Sequence, residues 1–149
     1  MSTVVVSPSN VVTFPEGGGH FWVCMQYVQG LLMQGCEVYW LERFTHSGDP
    51  QYDAEMVRVF RKRTEQFGLK DKIILYTQDE LEGSGKRSAP NYIGVTEAFA
   101  ESVFRRADLL INFYYAIDPQ LLARFKCTAL VDIDPGLLQF WISTGPVSY

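Results

Sequence analysis

Short runs of consecutive apolar residues alternate along this chain with segments whose apolar positions recur every three or four residues. Val4-Val5-Val6 is the first run. A turn-forming Ser7-Pro8-Ser9-Asn10 and then Val11-Val12-Thr13-Phe14 follow it, so the first strand lies within this stretch. After the loop from Pro15 to Gly19, the residues Phe21, Met25, Val28 and Leu32 recur at helical spacing. Gly35 supplies a stop, which predicts a first helix from His20. Val38-Tyr39-Trp40-Leu41 is a second strand ending at Glu42, and Asp49-Pro50 is a cap and first-turn proline for a helix running to about Phe67, with Gly68 closing it. Lys72-Ile73-Ile74-Leu75-Tyr76 reads as a third strand.

The segment from Thr77 to Asn91 is rich in Gly, Ser, Pro and charge and reads as the longest loop. Helical spacing returns at Val95, Phe99 and Val103, and Leu109-Leu110-Ile111-Asn112-Phe113 reads as a fourth strand. Asp118-Pro119 opens a short helix through Phe125, Thr128 to Asp132 forms a fifth strand, and Asp134-Pro135-Gly136 is a turn before a last helical segment. Apolar strands alternating with amphipathic helices predict a Rossmann-like α/β three-layer sandwich with a mainly parallel sheet of about five strands.

Ligands of such sheets bind at the carboxyl ends of the strands, where the strand order reverses. With the common order, that crevice is lined by Gly17, Gly18, Gly19 and His20 on one side and by Tyr114, Tyr115 and Asp118 on the other. Glycines let backbone approach a ligand, and the start of a helix favours anions. His20 has the proton affinity of a general base for a hydroxyl, and Asp118 is a carboxylate of the kind that orients such a base. A helix-start histidine bonded locally and an N-cap aspartate before Pro119 are the plainer structural readings of the same two residues. Trp22, Tyr114 and Tyr115 are the aromatics placed to stack on a substrate.

Composition narrows this picture. The 149 residues, 47% hydrophobic and 14% aromatic, are enough for one folded domain spanning 1–149. A net charge of −4 offers no broad basic surface, so nucleic acid is not an expected partner. The basic residues Arg58, Arg61, Lys62 and Arg63 read as the solvated face of the second helix. Cys24, Cys36 and Cys127 have no metal-ligand spacing and read as buried thiols of a reducing compartment. With no transmembrane segment and no leader pattern, a cytoplasmic protein is expected.

Three familiar motifs are approached and missed. The dinucleotide fingerprint breaks where His20-Phe21-Trp22 replace its last glycine, although Glu42 stands about where a ribose-binding acid would. Gly83-Ser84-Gly85-Lys86 lacks the first glycine and the final hydroxyl residue of a P-loop. Asp132-Ile133-Asp134 has the look of a metal-binding carboxylate pair, but a strand end and a turn account for it more simply, and no metal is expected.

As an ordered set, Gly17-Gly18-Gly19-His20-Phe21-Trp22, Met25 to Leu31, Gly35 to Glu42, Ala107 to Asn112 and Val131 to Gly136 resemble the N-terminal domain of bacterial GT-B-type glycosyltransferase-like proteins. The resemblance implies a nucleotide-sugar-dependent transferase of two Rossmann-like domains, the N-terminal one holding the acceptor. It implies His20 as the base that deprotonates the acceptor hydroxyl, with Asp118 as its helper. Without a C-terminal donor domain or a partner chain the portion is expected to be inactive, with no tightly bound cofactor. Two other readings stand beside it: a non-catalytic Rossmann-like module that forms a homodimer, and a nucleotide or dinucleotide binder using the glycine loop and Glu42.

Overall fold

Val4, Val5 and Val6 are fully enclosed at the centre of strand β1 (Thr3–Ser7), where β-branched side chains suit a strand covered on both faces. The computed structural model describes residues 1–14, 18–81, 87–133 and 135–144. Strand β1 pairs in parallel with β2 (Glu37–Arg43) on one side and β5 (Leu109–Asn112) on the other, with Val5 opposite Tyr39 and Leu110. Strand β3 (Ile73–Thr77) is parallel to β2, and β6 (Thr128–Leu130) is parallel to β5. Strand β4 (Asn91–Ile93) runs antiparallel to β3 at the edge. The order is β4-β3-β2-β1-β5-β6, a mostly parallel α/β sheet of the Rossmann-like type whose order reverses between β1 and β5.

Alternation along each strand divides the apolar side chains between two faces. Val6, Val38, Trp40 and Leu75 join Phe21, Met25 and Val28 of helix α1 (Gly18–Met33) and Met56 and Phe60 of α2 (Pro50–Glu65). Val5, Tyr39, Leu41, Ile74 and Leu110 join Val103 and Phe104 of α3 (Glu97–Arg106) and Leu121 of the short α4 (Pro119–Leu122). The expected caps are in place. Asp49 accepts from the backbone N–H of Gln51 and Tyr52, Thr96 from that of Phe99 and Asp118 from that of Gln120. Gly68, at φ +86°, ends the α2 segment in the left-handed region that a side chain disfavours.

The structure narrows one expectation and corrects others. The first strand is Thr3–Ser7, at the start of the stretch expected to hold it. Val11 and Val12 are buried in the turn after it. The span read as one long loop ends in β4, a sixth strand of three residues, too short to display a period. Of the cysteines only Cys24 is buried; Cys36 is half-buried and Cys127 exposed. Cys127 leads into β6, whose Thr128, Ala129 and Leu130 are all exposed, so its apolar surroundings in sequence do not become a core. The last helix, α5 (Pro135–Thr144), likewise presents Phe140 and Ile142 to solvent.

The basic face of α2 is only half solvated. Arg58 pairs with Glu55 in the open, but Arg61 donates to the Ile93 carbonyl (2.9 Å) and Arg63 stacks over Phe21 at 3.9 Å.

The two ends of the sheet differ in character. At the amino end the charges neutralise one another. Glu37 accepts from Lys72, Arg106 lies 3.6 Å from it, and the Tyr39 hydroxyl, which accepts from both cations, donates to Glu37 (2.9 Å). At the carboxyl end polar side chains are buried without such neutralisation. The candidate residues lie there.

Candidate functional site at the carboxyl edge of the sheet

After Ser7 the chain turns through Asn10 in a left-handed conformation (φ 57°) and is tied down by a side chain from the next strand. Glu42, fully buried near the end of β2, accepts from the backbone N–H of Val11 (2.6 Å) and Val12 (3.1 Å) and from the Trp40 indole N–H (2.8 Å). Burial pushes its carboxyl up to about 7, against the pull of these three donors and of nearby His20. The same burial, with the Glu42 charge beside it, raises the Cys24 thiol to about 12, so Cys24 is an inert core residue. Both oxygens of Glu42 are turned under the loop. It anchors the β1–α1 turn, and the residue that made a ribose contact conceivable is occupied within the fold.

His20 stands exposed in the first turn of α1 and places Nε2 2.7 Å from the Ser9 carbonyl oxygen. A carbonyl only accepts, so the neutral ring carries its proton on Nε2 and leaves the lone pair on Nδ1. The orienting partner of His20 is thus the backbone of the turn that Glu42 anchors. Gly18 and Gly19, in the same turn of helix, are exposed, and a Cβ on either would meet open space. Gly17 lies outside the described residues. Trp22 points elsewhere. Its ring packs edge-on against Phe21 and Phe67, both at 5.3 Å, in the seam between α1 and the end of the α2 segment.

Across the strand reversal, buried Asn112 shapes the turn after β5. Its side chain accepts from the Tyr114 N–H and donates to the Tyr114 carbonyl, both at 2.9 Å. Tyr114 is half-buried against the α3 and α4 core, and Tyr115 is exposed, with ring centroids 6.1 Å apart. Asp118 is buried and caps α4 through the Gln120 N–H (2.9 Å), while its other oxygen accepts from Gln78 Nε2 (2.7 Å). The structure therefore does not pair Asp118 with His20. Each has its own partners.

Asp118 belongs instead to a polar layer over the α3 and α4 face of the sheet. Gln78 Nε2 also donates to the Ser88 carbonyl (3.0 Å), Arg43 Nη2 donates to the Gln78 carbonyl (2.9 Å), and Arg87 Nη1 donates to the Ala116 carbonyl (2.7 Å). Two buried atoms of this layer, Arg43 Nε and Gln78 Oε1, have no partner. The Tyr76 phenol lies within the field of Arg43, Arg87, Tyr114 and Asp118, and burial raises it well above its usual value although both guanidiniums oppose the rise. Arg43, Gln78 and Arg87 escape a motif search. Their signal is positional: Arg43 and Gln78 extend the alternation of Leu41 and Tyr76 past the apolar part of their strands.

A second residue missed in the sequence is His46. It forms the one imidazole–carboxylate pair among the described residues, Nδ1 to Asp53 Oδ2 at 2.8 Å, with its ring edge-on to Phe44 at 5.4 Å. Asp53 also accepts from the Ser47 N–H (3.0 Å), and hydrogen bonding to Ser47 and then to His46 holds its carboxyl below the usual range. The spacing of seven residues spans a loop and a helix start, which no periodic pattern marks. The pair braces the entry to α2.

Among the described residues no three His, Cys, Asp or Glu side chains converge as a metal site, and no helix is long and apolar enough to cross a membrane. Comparison with family models, with curated proteins and with solved structures returns no match to this chain.

Proposed function

We propose that the chain is the acceptor-side Rossmann-like portion of a nucleotide-sugar-dependent glycosyltransferase, with His20 as the base. The observation that carries this reading is the state of His20: exposed at the carboxyl edge, its Nε2 held by the Ser9 carbonyl and its Nδ1 without a partner among the described residues. In the step it would perform, Nδ1 takes the acceptor hydroxyl proton and the hydroxyl oxygen bonds to the anomeric carbon. The bond from that carbon to the nucleoside diphosphate breaks. The Nε2–H of the imidazolium formed keeps its bond to the Ser9 carbonyl, and the ring lies close enough to the buried Glu42 to lower that carboxyl's affinity for a proton. Asp118 takes no part in this relay and serves as the cap of α4, bonded to Gln78.

The test is a screen of UDP-, GDP- and TDP-sugars by calorimetry and turnover, with the donor-binding half supplied by the full reading frame or by a partner chain. His20→Ala is expected to lower kcat by about a hundredfold or more with little change in thermal stability, the size of a general-base contribution. Absence of donor binding and turnover in that screen overturns the proposal.

One observation favours a second reading, a homodimerising module without chemistry. Strand β6 is an edge with all three residues exposed, and Leu130, Ile133, Phe140 and Ile142 are exposed nearby in sequence. Light scattering that gives a monomer mass across a wide concentration range refutes it.

A further inference from the structure

We propose that Arg43, Gln78 and Arg87 form a recognition site for a small hydroxylated anion, a polyol carrying a phosphate or a carboxylate. Two independent features of the polar layer lead to this ligand class.

The first feature is chemical complementarity of two buried orphans. Arg43 Nε is a donor without an acceptor, and Gln78 Oε1 is an acceptor without a donor. They belong to neighbouring residues, since Arg43 Nη2 donates to the backbone carbonyl of Gln78. The Gln78 amide cannot be turned over to cure its own deficit, because its Nε2 already donates to two acceptors, the Ser88 carbonyl and Asp118. A hydroxyl both accepts and donates, so it offers what each of the two atoms lacks. Gln78 is only 4% exposed, which makes an unmet acceptor there costly and its satisfaction selective.

The second feature is charge. Among the described residues neither guanidinium forms an ion pair with a carboxylate, including Glu80, which faces Arg87 across a backbone bridge; both are held by backbone carbonyls. The buried carboxylate of the layer, Asp118, is engaged by the Gln120 N–H and by Gln78. Two guanidiniums without an ion-pair partner among the described residues, at the carboxyl edge of a parallel sheet, suit a phosphate or carboxylate, which guanidinium N–H groups bind as charge-assisted donors.

The proposal goes beyond the transferase reading and does not depend on it. The test contains no nucleotide sugar, so failure to bind and failure of His20-dependent turnover are separate results. Glucose 6-phosphate and gluconate are titrated into the full chain, with glucose and inorganic phosphate as controls, and the Arg43 Nε–H resonance is followed by ¹⁵N-correlated NMR.

One or both of the hydroxylated anions is expected to shift that resonance and to bind at least about tenfold more tightly than glucose or phosphate, since a site built around a hydroxyl rejects ligands that lack it. Arg43→Lys keeps the charge but removes the Nε donor. Arg87→Gln removes the other charge. Each is expected to weaken binding about tenfold, with thermal melts confirming that the variant is folded. A resonance unmoved by all four probes marks the orphans as the site of a buried water only and overturns the proposal. Inorganic phosphate binding as tightly as the hydroxylated anions also overturns it, as does unchanged affinity in a folded Arg43→Lys protein.

Discussion

Replacing Glu42 tests the reasoning about the β1–α1 turn most directly, because one side chain there answers three buried donors. In Glu42→Ala the N–H groups of Val11 and Val12 and the Trp40 indole lose their acceptor. At about 1–3 kcal/mol for each buried donor left unmet, offset where water enters the space, the expected loss is about 3–5 kcal/mol. Glu42→Gln keeps an oxygen for Val11 and Val12 but turns an amide N–H₂ toward the Trp40 N–H, donor against donor. A loss of about 2 kcal/mol is expected.

The charge has its own signature. The Glu42 carboxyl stands at about 7 in the folded chain against an ordinary 4.5, so the folded state holds its proton more tightly than the unfolded state does. For an acid raised in this way the contribution to stability is greatest below pH 4.5, declines as pH rises from 4.5 to about 7, and is constant above that. The decline across the window amounts to about 3 kcal/mol. Glu42→Gln cannot titrate, so urea denaturation followed by tryptophan fluorescence should show the parent's advantage over it, about 2 kcal/mol at the acid end of the window, falling through zero and reversing by about 1 kcal/mol at the upper end. Taking the difference cancels the other ionisations common to both chains. A gap that stays constant between pH 5 and 8, or a Glu42→Ala protein within about 0.5 kcal/mol of the parent, refutes the account.

Two structural predictions stand beside the tests of His20 and of the arginine site. Asn112→Ala removes both hydrogen bonds to Tyr114 from a buried position and should cost about 2 kcal/mol in urea denaturation, with altered tyrosine environment in near-ultraviolet circular dichroism; an unchanged spectrum counts against the role given to Asn112. Gly94→Ala forces a side chain at φ +72° and brings its Cβ to 3.0 Å from Arg61 Nη2. A loss of about 1–2 kcal/mol is expected, and a thermal midpoint equal to that of the parent would show that β4 and Arg61 yield without cost.

Much of the architecture was legible in the residue pattern because its causes are local. Asp49-Pro50 and Asp118-Pro119 start helices through contacts within a few residues, and both aspartates cap as read. Apolar runs flanked by turn residues marked five of the six strands: β1, β2, β3 and β5 because a strand covered on both faces must be apolar, and β6 although its residues are exposed. Strand β4 went unread because Asn91-Tyr92-Ile93 is a half-covered edge of three residues, held mainly by its partner β3.

The sequence by itself determined the layered α/β class, the placing of most helices, and the presence of His20 at the start of α1, all consequences of periodicity and short-range capping. Only the tertiary structure decided which polar groups meet. It set Glu42 beneath the β1–α1 turn, gave His20 the Ser9 carbonyl, and joined Asp118 to Gln78. The reason is physical. A strand end has no partner until the sheet order places another beside it, and β2, β3 and β5 bring Arg43, Gln78 and the turn before Asp118 together from segments far apart in the chain.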